Sequence, residues 1–396
     1  MELKEILKVA IKGGASDIHL KMGLPPLFRV DGALVPLRDG ERITLEEIKA
    51  MAFSMMNPVQ KARFEEQREA DLAYGIAGLG RFRVNVFQQR GAIGIVLRVI
   101  PFGVKTVEEL NLPDVVKAIS QEHRGLILVT GTTGSGKSTT LAAMIEQINS
   151  ERTSHIMTIE DPIEFLIRDR RSIVNQREIG VDTHSFANAL RGALRQDPDV
   201  ILVGEMRDFE TIETALTAAE TGHLVMSTLH TLDATETINR IISVFPPYQQ
   251  KQVRLQLSTV LKAVISQRLV PRADGKGRVP ALEILVSTGL VRELIADKDR
   301  TKELSDAITK GYTTYGMQSF DQSLMQLVKE GLVTYEEALK NVSNPDDFAL
   351  RYRGIDSTSD SVWEDFQGTD NEDAEAVAED VLETDGKADD FGIERF

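Results

Sequence analysis

Apolar residues in the first hundred positions switch between helical and strand spacing, which predicts a small α/β domain over residues 1–100. Leu3, Ile6, Leu7, Ala10 and Ile11 share one face of a helix that we expect to end near the glycines at 13 and 14. Strands are predicted at residues 17–20, 27–30, 33–36, 80–88 and 94–99, and helices at 46–56 and 58–66. The Asp-Gly pair at 31–32 predicts a hairpin turn between the second and third strands.

A second pattern follows residues 101–114, where scattered prolines and the lack of a sustained period are typical of a linker. From residue 115 to residue 270, short apolar runs alternate with helical patterns. The predicted strands cover residues 126–129, 155–159, 172–174, 200–203 and 224–228. This alternation predicts a larger α/β domain with a mostly parallel sheet flanked by helices.

The next region, residues 271–354, has mostly helical patterns. Phe320, Leu324 and Leu327 recur at the spacing of one helix face. Thr334 followed by Glu337 is the signature of a capping box, in which a hydroxyl and a carboxylate satisfy the first amides of a helix. We therefore predict a helical C-terminal region after the α/β core.

The last segment, residues 355–396, differs sharply in charge from the rest of the chain. It contains 15 acidic and 2 basic residues, whereas the preceding residues contain 46 acidic and 44 basic ones. Such a composition predicts a disordered acidic tail. The single tryptophan, Trp363, lies in it beside Val362 and Phe366, and these three residues could form a short docking anchor. The alternative is a solvated tail without a partner.

Composition excludes several classes of protein. The chain has no cysteine, so it has neither disulfides nor a thiolate metal site, as is typical of a reducing cytoplasm. No apolar run reaches the ~20 residues that span a bilayer, and the charged start of the chain does not resemble a signal peptide. We predict a cytoplasmic protein without direct membrane insertion. The nearly neutral body also gives no footprint for nucleic acid.

The stretch at residues 131–139, GTTGSGKST, fits the phosphate-binding loop of nucleoside triphosphatases and lies between a predicted strand and a predicted helix. Its glycines allow the backbone amides to approach phosphate oxygens. Lys137 is expected to contact the β- and γ-phosphates, and the Ser138 hydroxyl to bind Mg²⁺. The candidate nucleotide-binding residues are Gly131, Thr132, Thr133, Gly134, Ser135, Gly136, Lys137, Ser138 and Thr139.

Two groups of carboxylates follow predicted strands, where open α/β sheets bind ligands. Glu160, Asp161 and Glu164 follow the strand at 155–159, and Glu205 follows the strand at 200–203. The second group resembles the second phosphate-loop motif, with Gly204 in place of the aspartate that usually assists Mg²⁺. We predict that Glu205 polarises the attacking water and that the first group assists it. Whether Glu164 or Glu205 is the general base stays open.

Two histidines bracket the predicted strand at residues 224–228. His223 precedes it and His230 follows it, so that seven residues of strand would separate them by ~23 Å. This distance excludes a shared metal. His230 is a candidate catalytic residue and His223 a candidate nucleotide-binding residue, through the γ-phosphate or a neighbouring subunit. The alternative for either imidazole is a structural role.

The phosphate loop, the acidic group, the glycine-substituted second motif and the histidine pair occur in the order found in the secretion ATPase superfamily, which the chain resembles over residues 1–350. Several segments are similar to its pilus retraction branch, the PilT/PilU group, and to PilT in particular. They are GASDIHL (14–20), RVDG (29–32), GRFRVN (80–85), VNQRE (174–178), RQDPD (195–199), GEMRD (204–208) and ETGHL (220–224). The absence of a four-cysteine zinc module also favours this branch.

This resemblance implies a PAS-like N-terminal domain, a RecA-like motor domain and a homo-hexameric ring. ATP would lie between the two domains, with Arg81, Arg83 and Arg98 completing the catalytic site. The implied function is a Mg²⁺-dependent ATPase that powers retraction of a type IV pilus in twitching motility. It would act at the cytoplasmic face of the inner membrane, on the platform protein of the pilus and in some cases beside a paralogous pilus ATPase.

Several functions stay open at this point. The helical segment LVRELIAD (290–297) departs from the motif of the retraction ATPases. Together with GMQSFDQSL (316–324) and TYEEALKN (334–341), it resembles the accessory PilU group. The histidine region and residues 253–267 resemble PilT instead. A secretion motor, a nucleotide-sensing scaffold that does not hydrolyse ATP and a nucleic-acid translocase are also compatible with a phosphate loop. Intact Lys137, Ser138 and Glu205 count against the scaffold.

Overall fold

The computed structural model of the chain describes residues 2–30, 32–38, 40–100 and 103–354. The predicted acidic tail and the docking hypothesis for Trp363 lie outside the described residues. Within these ranges no helix is both long enough and apolar enough to cross a lipid bilayer. The described residues contain two sheets, each with helices packed against it, which confirms the predicted α/β class.

The first sheet is antiparallel. Its strands lie in the order β3-β2-β1-β6-β5-β4. The elements are α1 (Leu3–Lys12), β1 (Asp17–Lys21), β2 (Leu27–Val30), β3 (Ala33–Pro36), α2 (Leu45–Ser54), α3 (Pro58–Gln67), β4 (Glu69–Ile76), β5 (Gly80–Gln89) and β6 (Ala92–Ile100). Ile6 of α1, Ile48 of α2 and Phe82 of β5 meet in its core. The predicted helices and strands are confirmed, but β4 was missed because its polar-apolar alternation lasts only four residues.

The second sheet is parallel except at one edge. Its strands lie in the order β13-β12-β7-β11-β10-β8-β9, and only the β12–β13 pair is antiparallel within the described residues. The elements are α4 (Asp114–Ser120), β7 (Gly125–Thr130), α5 (Lys137–Glu151), β8 (His155–Glu160), β9 (Ile173–Glu178), α6 (Phe186–Ala193), β10 (Val200–Val203), α7 (Phe209–Glu220), β11 (Leu224–Leu229), α8 (Ala234–Ser243), α9 (Gln250–Val260), β12 (Leu261–Pro271) and β13 (Arg278–Val286). The prediction of a mostly parallel sheet is confirmed.

Both faces of this sheet are buried. Every residue of β7, β10 and β11 is buried, as is expected of parallel strands with helices on both sides. Ile127 and Val129 of β7 pack with α4 and α5, whereas Leu126 and Leu128 pack with α6 to α9. Alternate side chains therefore belong to two separate cores, and the period of two holds the strand between them.

The C-terminal region is helical from residue 289 onward. It contains α10 (Gly289–Ala296), a 3₁₀ turn (Thr301–Glu303), α11 (Leu304–Lys310), α12 (Tyr312–Tyr315), α13 (Phe320–Lys329), α14 (Tyr335–Leu339) and α15 (Pro345–Tyr352). The Thr334 hydroxyl accepts a hydrogen bond from the Glu337 amide and begins α14, as the capping signature predicted. The prediction of helix was wrong for β13, which extends the sheet beyond residue 270. Its run RVPALEILV suits a helix or a strand, and pairing with β12 decides between them.

The two sheets are joined by an ion pair. Arg81 of β5 lies 2.8 Å from the carboxylate of Glu178 at the end of β9, and the Glu178 side chain is buried. The same carboxylate accepts a hydrogen bond from the Ile163 amide, in the loop after β8. The first sheet therefore contacts the second sheet close to the carboxyl ends of the strands of the second sheet. The limits of the two domains and of the linker stay predictions.

Candidate functional site

The carboxyl ends of β7, β8, β10 and β11 meet at one edge of the second sheet, because these strands run parallel. The loops that follow them surround a cavity of about 610 Å³, a size common for small-molecule sites. Predicted residues from all four loops line it together with one arginine of the first sheet. They are Thr133, Gly134, Gly136, Lys137, Ser138, Thr139, Glu160, Asp161, Glu164, Glu205, His230 and Arg83.

The phosphate-binding loop has a backbone that requires glycine. Gly131 has φ = 139° and Gly136 has φ = 91°, values that side-chain-bearing residues rarely adopt. A Cβ at Gly131 would lie 2.3 Å from the Gln267 carbonyl oxygen, and one at Gly136 would lie 2.7 Å from Gln267 Nε2. Gln267 of β12 also accepts a hydrogen bond from the Thr140 hydroxyl at 2.7 Å. Gln267 of strand β12 thus packs directly against the phosphate-binding loop.

Lys137 closes the loop upon itself. Its Nζ donates hydrogen bonds to the carbonyl oxygens of Gly131 and Thr132, both at 2.9 Å. Burial lowers the pKa of Lys137, whereas the negative charges of Glu164 and Glu205 oppose this shift. The ammonium group is therefore buried at the loop, near two carboxylates, in a position to bind a phosphate.

The loop has donors suited to an anion. The first amides of α5 have no intrahelical acceptors, since a helix leaves its first four N–H groups free. The Ser135 hydroxyl is buried and has no hydrogen-bond partner among the described residues. Ser138 and the nearby carboxylates supply the oxygen ligands that Mg²⁺ prefers. The described residues contain no cluster of three or more His, Asp or Glu side chains able to hold a metal by themselves. The donor set fits a metal shared with phosphate oxygens.

Glu160 is the least exposed member of the first acidic group and is half-buried. It accepts hydrogen bonds from the Thr158 hydroxyl at 2.7 Å and from the Gln176 amide at 3.2 Å. Burial raises the pKa of Glu160, and these hydrogen bonds oppose the shift. Asp161 and Glu164 line the same cavity, as the sequence predicted. The three carboxylates thus differ in environment although they are close in sequence.

Glu205 lies close to the side chains of Arg207 and His230. Its Oε2 is 2.7 Å from Arg207 Nε and 3.7 Å from His230 Nε2, and the carboxylate is mostly buried. Arg207 lines the cavity but was not identified from the sequence, although it lies two residues from Glu205. A carboxylate held in this way can orient a water molecule beside the loop.

His223 and His230 lie at opposite ends of β11, as the predicted spacing requires. His230 lines the cavity, whereas the His223 ring lies 2.9 Å from the Ala218 carbonyl oxygen at the end of α7. The nucleotide-binding assignment of His223 is not supported by the cavity of this chain. His223 lies away from the cavity because a six-residue strand separates its ring from the carboxyl edge of the sheet.

The three predicted arginines differ in position and in ion-pair partner. Arg83 lines the cavity. Arg81 is held by Glu178, and Arg98 lies 2.9 Å from Asp17 within the first sheet. The structure therefore brings one of the three into the cavity, and the other two assignments are not supported in the single chain. Asp17 lies opposite Arg98 in the β1–β6 register, a cross-strand pairing that the sequence pattern did not reveal.

Further lining residues were missed by sequence reasoning. Phe165, Ile167, Phe186, Leu202, Thr228, Leu269 and Arg278 are among them. The apolar members carry no chemical signal, so a motif search cannot find them. Arg278 was hidden because its strand, β13, lies in the region predicted to be helical.

Comparison with known proteins places the chain in a family. Residues 1–279 match the family described as type II/IV secretion system protein. The chain belongs to this family. Among its members, the type IV pilus retraction ATPase PilT of Pseudomonas aeruginosa is 48% identical over 353 residues, which cover 88% of this chain and 100% of the relative. The type IV pilus ATPase PilU of the same organism is 42% identical over 369 residues, covering 93% and 96%.

A solved structure of a family member supports the same assignment. The crystal structure of the pilus retraction motor PilT with bound ADP has a TM-score of 0.79 and 50% sequence identity, and the match covers 88% of this chain and 98% of that chain. The predicted resemblance to the PilT/PilU branch is confirmed, and so is the predicted fold, with two α/β parts and a helical C-terminal region.

The glycine that replaces the usual aspartate has a steric explanation within this fold. Gly204 follows β10 directly, and its amide donates to the Ile159 carbonyl at 2.8 Å. A Cβ at Gly204 would lie 3.1 Å from the same carbonyl oxygen and 3.4 Å from Glu160 Cα. A side chain here would crowd the main chain of β8, which favours glycine at this position.

We expect Gly204→Ala to lower the free energy of unfolding by about 1–3 kcal/mol, because the methyl group overpacks the space beside β8. Gly204→Asp should lower it further and should not improve turnover. Chemical denaturation measures the change. Gly289→Ala is the matched control, since nothing lies within 4 Å of a Cβ built at Gly289. Equal stability of Gly204→Ala and wild type would contradict the steric explanation.

The loop that carries His230 is tied to the edge of the sheet. Helix α8 begins soon after it, and the Ala234 amide donates a hydrogen bond of 2.8 Å to Glu283 of β13. Burial raises the pKa of Glu283 to about 7, with a further contribution from Asp233, against the hydrogen bond from Ala234 and the charge of Arg268. Protonation of Glu283 is therefore coupled to folding near this loop.

We expect the contribution of Glu283 to stability to fall as the pH rises from 4.5 to about 7, because the folded chain retains a proton on Glu283 that the unfolded chain has released. Glu283→Gln removes this titration. The unfolding free energy of the variant, relative to that of wild type, should therefore increase by up to about 3 kcal/mol across the same pH interval. Denaturation curves at several pH values measure this difference. Glu213→Gln, an exposed site on α7, should leave it unchanged. A difference independent of pH would refute the assignment.

Proposed function

We propose that this chain is a Mg²⁺-dependent ATPase that assembles as a homo-hexamer and powers retraction of a type IV pilus. One observation carries the enzymatic part: Lys137 and Ser138 of the phosphate loop share a cavity with Glu160 and Glu205. The family relatives described as PilT and PilU support the pilus part. The ADP in the solved PilT structure supports the choice of nucleotide.

The residues of the cavity divide the work of hydrolysis. Lys137 exchanges its bonds to the loop carbonyls for bonds to phosphate, and the loop amides hold the remaining oxygens. Glu205 orients the attacking water, with His230 and the acidic group beside it. Ser138 is the proposed protein ligand of Mg²⁺, which when bound neutralises charge that develops on the phosphates.

Arg83 couples this chemistry to the first sheet. It lines the cavity from β5, whereas the other lining residues come from the second sheet and its loops. A rotation of one sheet against the other would move its guanidinium relative to Lys137 and Glu205. Charge stabilisation on the phosphoryl group would then depend on the relative position of the two sheets, as a motor requires.

The remaining parts of the proposal concern place and partners. We propose that the hexamer works at the cytoplasmic face of the inner membrane, at the base of the pilus, and acts on its platform protein. The relatives named after type IV pili support this location. A paralogous pilus ATPase is a further proposed partner.

A second candidate function is that of an accessory motor that needs a partner ATPase. One observation favours it. Helix α10 carries Glu293 and Ala296 where the retraction motif has other residues. The two candidates differ in whether the chain moves pili by itself.

We expect Glu205→Gln to retain ATP binding and to lose ATP turnover by at least about a hundredfold, because the amide cannot polarise the attacking water. Lys137→Ala should lose both. Phosphate release and equilibrium binding measure the two properties in purified full-length protein. Glu213→Gln, on the exposed face of α7, is the matched control. A Glu205→Gln variant with wild-type kcat would refute the role of this carboxylate.

We expect a strain whose only retraction ATPase is this chain to show twitching motility, and a Lys137→Ala strain to lose it while it still assembles pili. Colony spreading and pilus counts measure the two properties. Motility that appears only when a paralogous ATPase is present would select the accessory function. Loss of pili in the Lys137→Ala strain would contradict the retraction proposal, since retraction is not needed for assembly.

A further inference from the structure

The cationic side chains that line the cavity differ in their bonding partners. Lys137 is bonded to the loop carbonyls, and Arg207 is bonded to Glu205. Arg278 also lines the cavity, but its side chain has no hydrogen bond or ion pair with any described residue. In the same hairpin, Arg272 is paired with Asp274. Arg278 is thus an unpaired guanidinium at the mouth of a site built for an anion.

The topology explains how Arg278 reaches this edge. β12 runs parallel to β7, so it ends on the same side as the phosphate loop. The hairpin that follows turns the chain, and β13 begins there, with Arg278 opposite Pro271. An antiparallel edge strand therefore places its first residue beside the carboxyl ends of the parallel strands.

Arg278 lies at the border of two cavities. Besides the large cavity, it lines a second one of about 320 Å³, which is formed with Gly131–Ser135 of the loop and with Gln267 and Leu269 of β12. Thr133 and Gly134 of the loop line both cavities. The guanidinium therefore lies beside the loop itself.

The order of the strands places Arg278 and the catalytic carboxylates on opposite sides of the loop. β7, which leads into the loop, lies between β12 and β11. On one side, His230 and Glu205 follow β11 and β10, and Glu160 is the last residue of β8. On the other side, Arg278 is the first residue of β13. The terminal phosphate must lie near the carboxylate that orients water. The phosphate nearest the nucleoside then lies on the side of Arg278.

We infer that Arg278 binds the nucleoside-proximal phosphate, a group that nucleoside diphosphates and triphosphates share. This inference rests on the nucleotide site proposed above and adds a residue to it. Guanidinium presents several donors in a plane that matches two phosphate oxygens. Because the contact exists before and after loss of the terminal phosphate, it contributes equally to the ground state and the transition state. Arg278 is thus a binding residue for nucleotide and not a residue for hydrolysis.

Equilibrium binding of ADP and of a non-hydrolysable ATP analogue to full-length protein tests this inference. Arg278→Ala should raise the Kd of both nucleotides by about tenfold, the value of one charge-assisted hydrogen bond. KM should rise by a similar factor while kcat stays within about twofold, the signature of lost uniform binding. Arg278→Lys should lie between Ala and wild type, since it retains the charge but not the planar donors. Lys276→Ala is the matched control, because Lys276 lies two residues away in the hairpin and lines neither cavity.

Several outcomes would overturn the inference. Unchanged affinity for both nucleotides would do so, and so would a loss confined to the triphosphate, which would place Arg278 at the terminal phosphate. Loss of the oligomer on size-exclusion chromatography with unchanged nucleotide affinity would make Arg278 an assembly residue. Lys137→Ala, measured in parallel, separates the two proposals. If Lys137→Ala loses nucleotide and Arg278→Ala does not, only the inference fails; if Lys137→Ala keeps its affinity, the nucleotide site itself is wrong.

Discussion

Parallel pairing of fully buried strands is the constraint on which the rest of the structure depends. β7, β10 and β11 are buried along their whole length, so most of their side chains serve packing. Because they run parallel, with helices on both faces, chemistry is left to the loops at their carboxyl ends. Lys137, Glu205 and His230 are distant in sequence and share one cavity for this reason alone. The hydrophobic effect on the two faces thus sets the geometry of a polar site.

The charges of that site balance one another around the loop. Lys137 is buried and bound to carbonyl oxygens of its own loop, and the carboxylates of Glu164 and Glu205 offset part of its loss of hydration. Burial raises the pKa of Glu160, which lies in the same lining. A buried charge is tolerated only where it is compensated. In the proposed function, an anionic nucleotide takes over the compensation of Lys137, which explains how binding can reorganise the cavity.

The edges of the two sheets supply what the central strands cannot. From the second sheet, Gln267 of β12 supports the loop and Arg278 of β13 reaches its side. From the first sheet, Arg83 enters the cavity while Arg81 holds Glu178 of β9. A site that is built across two sheets responds to their relative position, whereas one built on a single sheet does not. In the motor that we propose, this dependence converts nucleotide state into movement.

The sequence alone determined the features that depend on neighbouring residues. Spacing of apolar residues located most strands and helices, and the glycines and lysine of residues 131–139 identified the phosphate loop. Order along the chain also predicted that Glu160 and Glu205 follow parallel strands. Only the tertiary structure decided the pairing of β12 with β13, the ion pair between Arg98 and Asp17, the crowding at Gly204 and the position of Arg278. Each of these depends on contacts between segments that are far apart in sequence, and local spacing carries no information about such contacts.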